Sequence, residues 1–151
     1  MLTRKRMSPT PPSCTVEFRA RYAETDQMGI IYHANYLPWC EIGRTELIRR
    51  LWRSYADLEA QGVLLAVTEV SLRYHASAKY DDLVRVVTTL GAVRSRGVSF
   101  DYEILRVDGD DTKRLVTART DLIAIDRGGT PVRLPASLVE AFRNGVPMEQ
   151  S

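Results

Sequence analysis

The stretch YAETDQMGIIYHANYLPWCEIGRTELIRR (residues 22–50) joins a polar turn to the one long helix that the sequence predicts. Asn35 is of the type that caps helix starts, and Pro38 falls in the first turn, where its missing N–H is harmless. Beyond them, apolar residues spaced by three or four form one stripe of a helix that ends near Trp52: Tyr36, Cys40, Gly43, Leu47 and Leu51. Because Gly43 lies on this stripe, we expect the helix to approach a sheet closely there.

The segments on either side of this helix alternate apolar and polar residues, as half-buried strands do. The first covers residues 15–22, with one face made of Val16, Phe18, Ala20 and Tyr22. A second begins at Leu64, and its predicted inner face comprises Leu64, Ala66, Thr68, Val70, Leu72 and Tyr74. Three more strands are predicted at about 83–93, 98–107 and 113–125. The short links between these three predict an antiparallel meander, and a short helix follows over residues 135–145.

One long helix and one antiparallel sheet leave the helix only the sheet to pack against. The sequence therefore predicts an α+β protein with the hotdog architecture, an antiparallel five-stranded sheet wrapped around one long central helix. We expect a single domain over residues 14–145, between a disordered N-terminal tail (1–13) and a C-terminal tail (146–151). The final strands carry apolar residues on both faces, so one face is expected to meet the helix and the other a partner chain. Exposed sheet edges also favour a dimer.

Composition narrows the classes of function. The chain has 151 residues and a net charge of +2, which gives no argument for a nucleic-acid partner. No apolar run approaches the ~18 residues that a membrane span needs. The two cysteines and two histidines show no metal-ligand spacing, and no phosphate-binding glycine motif is present. The cysteines are predicted to be reduced and structural, which indicates a cytoplasmic protein.

The pattern Y-x-E-T-D-x-x-G-x-x-Y-H-A-N-Y, followed by E-x-x-R-T-E, resembles the signature of the 4-hydroxybenzoyl-CoA thioesterase group of hotdog proteins. With histidine after Tyr32, it is most similar to the short acyl-CoA thioesterases of bacteria, including those associated with the Tol-Pal system. The resemblance covers about residues 16 to 143. It implies an acyl-CoA thioesterase that forms a homodimer or homotetramer. It implies no cofactor, because coenzyme A is part of the substrate.

The same resemblance implies roles for individual residues. The catalytic carboxylate falls on Asp26, as base or nucleophile, and the backbone N–H of His33 receives the thioester oxygen. Tyr22 and Glu41 are the further catalytic candidates, as pocket tyrosine and as a group that positions water or substrate. Substrate binding falls on five residues, of which the two arginines are expected to meet the CoA phosphates: Gly29, Tyr32, Asn35, Arg94 and Arg96.

Elementary chemistry agrees with these assignments. Thioester hydrolysis needs a group that activates water, donors for the developing oxyanion and a grip on the acyl carrier. An aspartate can serve as base or nucleophile. The first N–H groups of a helix are unsatisfied donors at the positive end of the helix dipole, each worth roughly 3–4 kcal/mol to an oxyanion. A carboxylate just ahead of a helix start therefore suits thioester hydrolysis.

Structural explanations exist for the same residues. Asp26 is also a common turn residue, and the side chain of His33 either orients its neighbours or leaves the work to its backbone. Glu41 is also placed to pair with Arg44 across one helical turn, and Arg94 and Arg96 suit a merely soluble hairpin.

Alternative functions also remain open at this point. The alternatives within enzymes are a thioesterase for an acyl carrier protein or for an aromatic acyl-CoA such as dihydroxynaphthoyl- or hydroxybenzoyl-CoA. The alternative outside enzymes is a non-catalytic acyl-CoA-binding hotdog module.

Overall fold

The structure, a computed structural model, describes residues 10–145. Its three helices are α1 (Tyr36–Leu51), α2 (Tyr55–Ala60) and α3 (Ala136–Arg143). Its five strands are β1 (Ser13–Arg19), β2 (Leu64–Tyr74), β3 (Leu83–Val93), β4 (Gly97–Asp108) and β5 (Asp111–Ile125). They form one sheet in the order β1-β3-β4-β5-β2, with every neighbouring pair antiparallel. The predicted meander is β3-β4-β5.

The predicted hotdog architecture is confirmed. Helix α1 packs mainly against β1, β3 and β4, and it buries the residues of its predicted stripe except for Leu51, which is partly buried. The inner face of the sheet supplies the other half of the core, mainly through these side chains: Val84, Val86, Leu90, Phe100, Tyr102, Ile104, Val116, Leu122 and Ala124. Since α1 lies towards the β1 side, the inner face of the edge strand β2 is left largely uncovered.

The close approach predicted at Gly43 is present. A Cβ atom added there would overlap the Thr88 hydroxyl and come within 3.0 Å of Val86 Cγ1. Within the described residues, Thr88 Oγ1 is a buried side-chain oxygen that has no hydrogen-bond partner. Gly43 therefore sets the depth at which α1 sits on β3.

Replacing Gly43 with alanine is expected to destabilise the fold. Helix propensity alone would favour alanine by about 1 kcal/mol, but overpacking of a core costs roughly 1–3 kcal/mol. Because the added methyl group would overlap the Thr88 side chain outright, we expect a cost in the upper part of that range, about 2–3 kcal/mol, and so a net loss of about 1–2 kcal/mol in denaturant unfolding. In a Thr88→Ala background the loss should shrink. A Gly43→Ala variant as stable as the wild type would contradict the close packing.

Strand β2 departs from its predicted alternation. Val67 pairs with Leu122 and Glu69 with Asp121, so Thr68 is an extra residue in a bulge. An extra residue exchanges the faces of a strand. Hence Leu64 and Ala66, predicted on the inner face, lie on the outer one, and Val67 joins Val70 on the inner face. Val70 is 40% exposed there.

Other sequence expectations also need correction. Tyr22 does not extend β1: it begins a 3-10 turn over Tyr22–Glu24, because the chain leaves the sheet after Arg19. Ser13, assigned to the disordered tail, is the first residue of β1. The connection after α1 contains α2, which Ser54 caps by accepting from the Asp57 N–H at 3.2 Å. Residues 1–9 and 146–151 of the predicted tails lie outside the described residues.

Candidate active site

Asp26 lies in a tight turn whose glycine is Gly29. The Asp26 N–H donates to the Ile30 carbonyl at 2.8 Å, and Gly29 adopts a φ of +81°, which glycine tolerates best. The Asp26 side-chain oxygen Oδ1 accepts from the N–H groups of Met28 at 2.8 Å and Ile30 at 3.4 Å. The other oxygen, Oδ2, accepts no hydrogen bond from a described residue. One oxygen thus holds the turn, and the other is available to water or substrate.

The turn itself is not unique to this site. Asp126 forms the same arrangement, accepting from the N–H groups of Gly128 and Thr130 at 2.9 Å each, with Gly129 at a φ of +84°. The Oδ1 atom of Asp26 therefore has the turn-stabilising role that is common for aspartate. What distinguishes Asp26 is the second turn beside it.

That second turn is the 3-10 segment His33–Asn35, which leads directly into α1. The bridge between Thr25 and Ile31 closes the Asp26 turn, and the Tyr32 N–H, which donates to the Glu24 carbonyl at 2.9 Å, joins the second turn to the residues just before it. The Asn35 N–H donates to the Tyr32 carbonyl at 2.8 Å. The His33 N–H makes no hydrogen bond to any described residue, so it is a free donor next to the carboxylate turn.

Asn35 does not cap α1 as predicted. Its backbone is already helical, with φ −74° and ψ −10°, and its side chain makes no capping bond. Instead its amide donates to the Glu24 carbonyl at 2.8 Å, because the 3-10 turn has taken over the start of the helix. Asn35 thus ties the two turns together, and no contact here assigns it to substrate binding.

Glu24 is one residue of this region whose structural role was not predicted from the sequence. It is only 7% exposed. Its carboxylate accepts from the Arg21 N–H at 2.8 Å and from the Trp39 indole N–H at 2.6 Å. In the sequence, Trp39 could have indicated this role, since the N–H of a buried indole needs a hydrogen-bond acceptor. Glu24 therefore anchors the Asp26 turn to helix α1.

Aromatic rings surround the His33 turn. The ring of His33 lies 4.4 Å from that of Tyr32 and 6.4 Å from that of Tyr74, measured between centroids. The Tyr74 hydroxyl donates to the His33 carbonyl at 2.8 Å. All three side chains are exposed, so the turn opens onto an aromatic surface.

The two other catalytic candidates do not converge on this point. Tyr22 is 75% exposed and packs edge-on against Tyr80, with ring centroids 5.6 Å apart. No hydrogen bond joins Tyr22 to Asp26 within the described residues. Glu41 is exposed on α1 and forms no ion pair with Arg44 or any other described residue, so the expected helical pair is absent. Nothing within residues 10–145 of one chain gives Tyr22 or Glu41 a catalytic contact.

The two candidate arginines lie at the other end of the molecule. Arg94 and Arg96 border a cavity of about 340 Å³ at the β3–β4 hairpin, together with Thr68, Ser95, Gly97, Ser99 and Asp121. The Arg96 carbonyl accepts from the Ala124 N–H at 2.8 Å, and Ala124 pairs with Leu65 near the start of β2. His33 is bonded to Tyr74 at the end of β2. At 3.2–3.4 Å per residue, these two points on β2 are about 30 Å apart.

The remaining chemistry of the described chain is sparse. Burial raises the pKa of the Cys14 thiol to about 11 and that of Cys40 to about 12. Both thiols are free and buried, so neither is a reactive nucleophile. No group of three or more possible metal ligands occurs within residues 10–145. In the same range no helix is both long and apolar enough to cross a membrane.

Comparison with known proteins gives a consistent result. A family model described as the thioesterase-like superfamily matches residues 20–142. The chain is 38% identical over 111 residues to the putative acyl-CoA thioesterase YneP of Bacillus subtilis, covering 74% of this chain and 78% of the relative. It is 31% identical to the acyl-CoA thioester hydrolase YbgC of Escherichia coli O6:H1, covering 83% and 92% of the two chains.

A solved structure agrees with these relatives. The DHNA-CoA thioesterase of Staphylococcus aureus matches with a TM-score of 0.82 and 36% identity, over 87% of this chain and 89% of that one. The residues matched by the family model contain both turns, α1 and the hairpin with the two arginines.

Proposed function

The chain belongs to the thioesterase-like superfamily, and on that premise we propose that it hydrolyses acyl-CoA thioesters to a free acid and coenzyme A. Water, activated by Asp26 or attacking an anhydride formed on Asp26, supplies the new oxygen of the acid. The carbon–sulfur bond breaks, and the CoA sulfur leaves and takes up a proton. The carbonyl oxygen gains negative charge and is stabilised by the His33 N–H.

One observation carries this proposal. The free Oδ2 of Asp26 and the free N–H of His33 lie on two neighbouring turns, which hydrogen bonds from Tyr32 and Asn35 to the Glu24 carbonyl hold together. A water-activating carboxylate next to an unpaired backbone donor is what thioester hydrolysis requires. A module that only binds acyl-CoA has no need of a free carboxylate beside an electrophilic carbonyl, so the observation favours the enzyme.

The grip on coenzyme A requires a second copy of the chain. The points on β2 beside the arginine hairpin and beside the His33 turn are about 30 Å apart, too far for one chain to present both to the reacting end and the phosphates together. Strand β2 is an edge of the sheet and carries exposed Val67, Val70 and Tyr74. An antiparallel pair of β2 edges with its two-fold axis near Val70 would bring the Tyr74 end of one copy beside the Leu65 end of the other. We therefore propose a homodimer with two composite sites, which assembles further into a homotetramer.

An aromatic acyl-CoA is the second candidate substrate. The exposed rings of Tyr32, His33 and Tyr74 favour an aromatic acyl group, since edge-to-face contacts add about 0.5–1.5 kcal/mol per pair. The similarity to a DHNA-CoA thioesterase points in the same direction. A carrier-protein substrate has no comparable support from the described residues.

Thiol release tests the proposal. Purified protein is given short-chain, long-chain and aromatic acyl-CoAs, and the freed thiol is followed with a disulfide reagent. The buried cysteines, whose pKa values are raised, should give little background. Hydrolysis of one class supports the proposal and names the acyl group. Binding of acyl-CoA without any hydrolysis would favour the binding module and refute it.

Replacing both Arg94 and Arg96 with alanine should weaken substrate binding and spare the chemical step. Removing one arginine–phosphate ion pair costs roughly 1 kcal/mol at an exposed site. For two arginines, about 2 kcal/mol together, we expect KM to rise about thirtyfold with kcat within about twofold. The matched control removes two charges opposite each other on the β4–β5 hairpin, Arg106→Ala with Lys113→Ala. Equal kinetics for the two double variants would show that the hairpin arginines do not hold coenzyme A.

We also propose that the protein acts in the cytoplasm. Both cysteines are free and buried, and they would face no oxidant there. Recovery of the native protein in a membrane or periplasmic fraction would contradict this location.

A further inference from the structure

Tyr74 connects the edge of the sheet to the turn that carries His33. It is the last residue of β2, and its side chain is 47% exposed. Its ring packs edge-on against Tyr36, with centroids 5.8 Å apart, and its hydroxyl donates to the His33 carbonyl at 2.8 Å. The ring packing and the hydrogen bond act on different groups, so the hydroxyl can be studied separately from the ring.

The hydrogen bonds of this turn fix two successive peptide planes. A peptide is planar and trans, so its C=O and N–H point in opposite directions. The Asn35 N–H holds the Tyr32 carbonyl, and this fixes the plane that contains the His33 N–H. The Tyr74 hydroxyl holds the next plane, which runs from the His33 carbonyl to the Ala34 N–H. With both planes held, the backbone of His33 is restrained on each side of its Cα.

We propose that Tyr74 is a positioning residue of the thioesterase site, whose hydroxyl holds the peptide between His33 and Ala34 and thereby restrains the backbone of His33, so that the His33 N–H meets the developing oxyanion. This inference rests on the proposed function. An oxyanion donor is effective because it is fixed before the charge develops and needs no reorganisation. The His33 turn is exposed and so has few contacts that restrain it. The hydrogen bond from Tyr74, which belongs to a strand of the sheet, supplies such a restraint.

The state of the phenol supports this role. A tyrosine hydroxyl with its ordinary pKa is protonated through the neutral range, and partial desolvation shifts the pKa of Tyr74 further upward, so the hydroxyl remains a donor there. Hydrogen bonds in a chain also polarise one another. Donation to the His33 carbonyl therefore also polarises the peptide between His33 and Ala34, which makes the Ala34 N–H a stronger donor.

The variant Tyr74→Phe tests the inference, because it removes one hydroxyl and keeps the ring. We expect kcat on the best acyl-CoA to fall about tenfold, the equivalent of about 1.4 kcal/mol, with KM within about twofold. The matched control is Tyr80→Phe, another exposed tyrosine, whose hydroxyl makes no hydrogen bond to a described residue. Both variants should unfold at the same temperature as the wild type.

A spectroscopic readout separates positioning from general loosening. The carbonyl stretch of a bound, isotope-labelled thioester falls in frequency when donors polarise it. In an Asp26→Asn background, which keeps the thioester intact, adding Tyr74→Phe should raise this frequency, and adding Tyr80→Phe should leave it unchanged. Affinity for a thioether analogue that has no carbonyl should be the same in all three proteins.

The outcomes distinguish this inference from the proposed function. If the wild type hydrolyses acyl-CoA while Tyr74→Phe matches it in kcat and carbonyl frequency, the role of Tyr74 is refuted and the thioesterase stands. A loss of kcat shared equally by Tyr80→Phe would also refute it. If the wild type hydrolyses no thioester, both fail together.

Discussion

Asp26→Asn is expected to lose at least ~100-fold in kcat/KM for thioester hydrolysis, about 2.7 kcal/mol of transition-state stabilisation. Asparagine keeps an oxygen that can accept from the N–H groups of Met28 and Ile30, so the turn should survive. What disappears is the charge on the free second oxygen, and with it the base or nucleophile. The measurement is thiol release under substrate-limited conditions, beside thermal unfolding of the same samples.

The chain supplies its own control for this experiment. Asp126→Asn makes the same exchange in the same kind of turn, at a position far along the sequence from the His33 segment. Any change in its unfolding temperature measures the effect of an amide in this kind of turn. Its thioesterase activity should equal that of the wild type. If Asp26→Asn keeps its activity, or if both variants lose activity equally, the carboxylate at position 26 is not catalytic.

Val70→Asp is expected to give a folded monomer with little activity. Val70 is already 40% exposed on the inner face of the edge strand, so a lone chain should tolerate the charge. In the proposed dimer, two copies of the carboxylate would be buried near the symmetry axis without partners, each at a cost of several kcal/mol. We expect the dimer affinity to fall at least ~1000-fold, about 4.1 kcal/mol, and hydrolysis to fall with it.

The neighbouring residue provides the control for this variant. Ser71→Asp adds the same charge one residue along β2, on the outer face, opposite Arg119. Light scattering or sedimentation should find Ser71→Asp dimeric and active. A Val70→Asp protein that remains dimeric, or a fully active monomer, would contradict a site built across β2.

Much of the fold was predictable because local pattern and tertiary packing agree. The four later strands of the sheet alternate with a period of two, and the links between the last three are too short for anything but hairpins. The role of Gly43 was predictable because glycine weakens a helix, so a glycine on the buried stripe indicates close packing against another element. These features depend on residues that are close in the sequence, so the sequence alone indicates them.

The bulge at Thr68 and the 3-10 turn at Tyr22 were not predictable in this way. Both depend on how a strand leaves or meets its neighbour. In the sequence, the alternation of β1 continues to Tyr22, and residues 64–67 are all apolar and suit either face, so the pattern marks neither change. The misplacement of Leu64 and Ala66 follows from the bulge alone.

The candidate site was predictable in its parts and not in its assembly. The motif selected Asp26 and His33, and the structure ties their turns together. Glu24 and Tyr74 escaped notice because their hydrogen bonds cross 15 and 41 residues of sequence. The distance from Asp26 to Arg94 and Arg96 was equally invisible, since it depends on which end of a strand each loop meets.

A mixture of two defective variants tests the composite acyl-CoA site most directly. One variant carries Asp26→Asn, and the other carries Arg94→Ala with Arg96→Ala. If each site joins Asp26 of one chain to the arginines of another, every mixed dimer regains one complete site. Random reassociation should then restore kcat/KM to about one quarter of the wild-type value, as expected for a two-fold dimer. A mixture no more active than the average of the two separate variants would contradict the account.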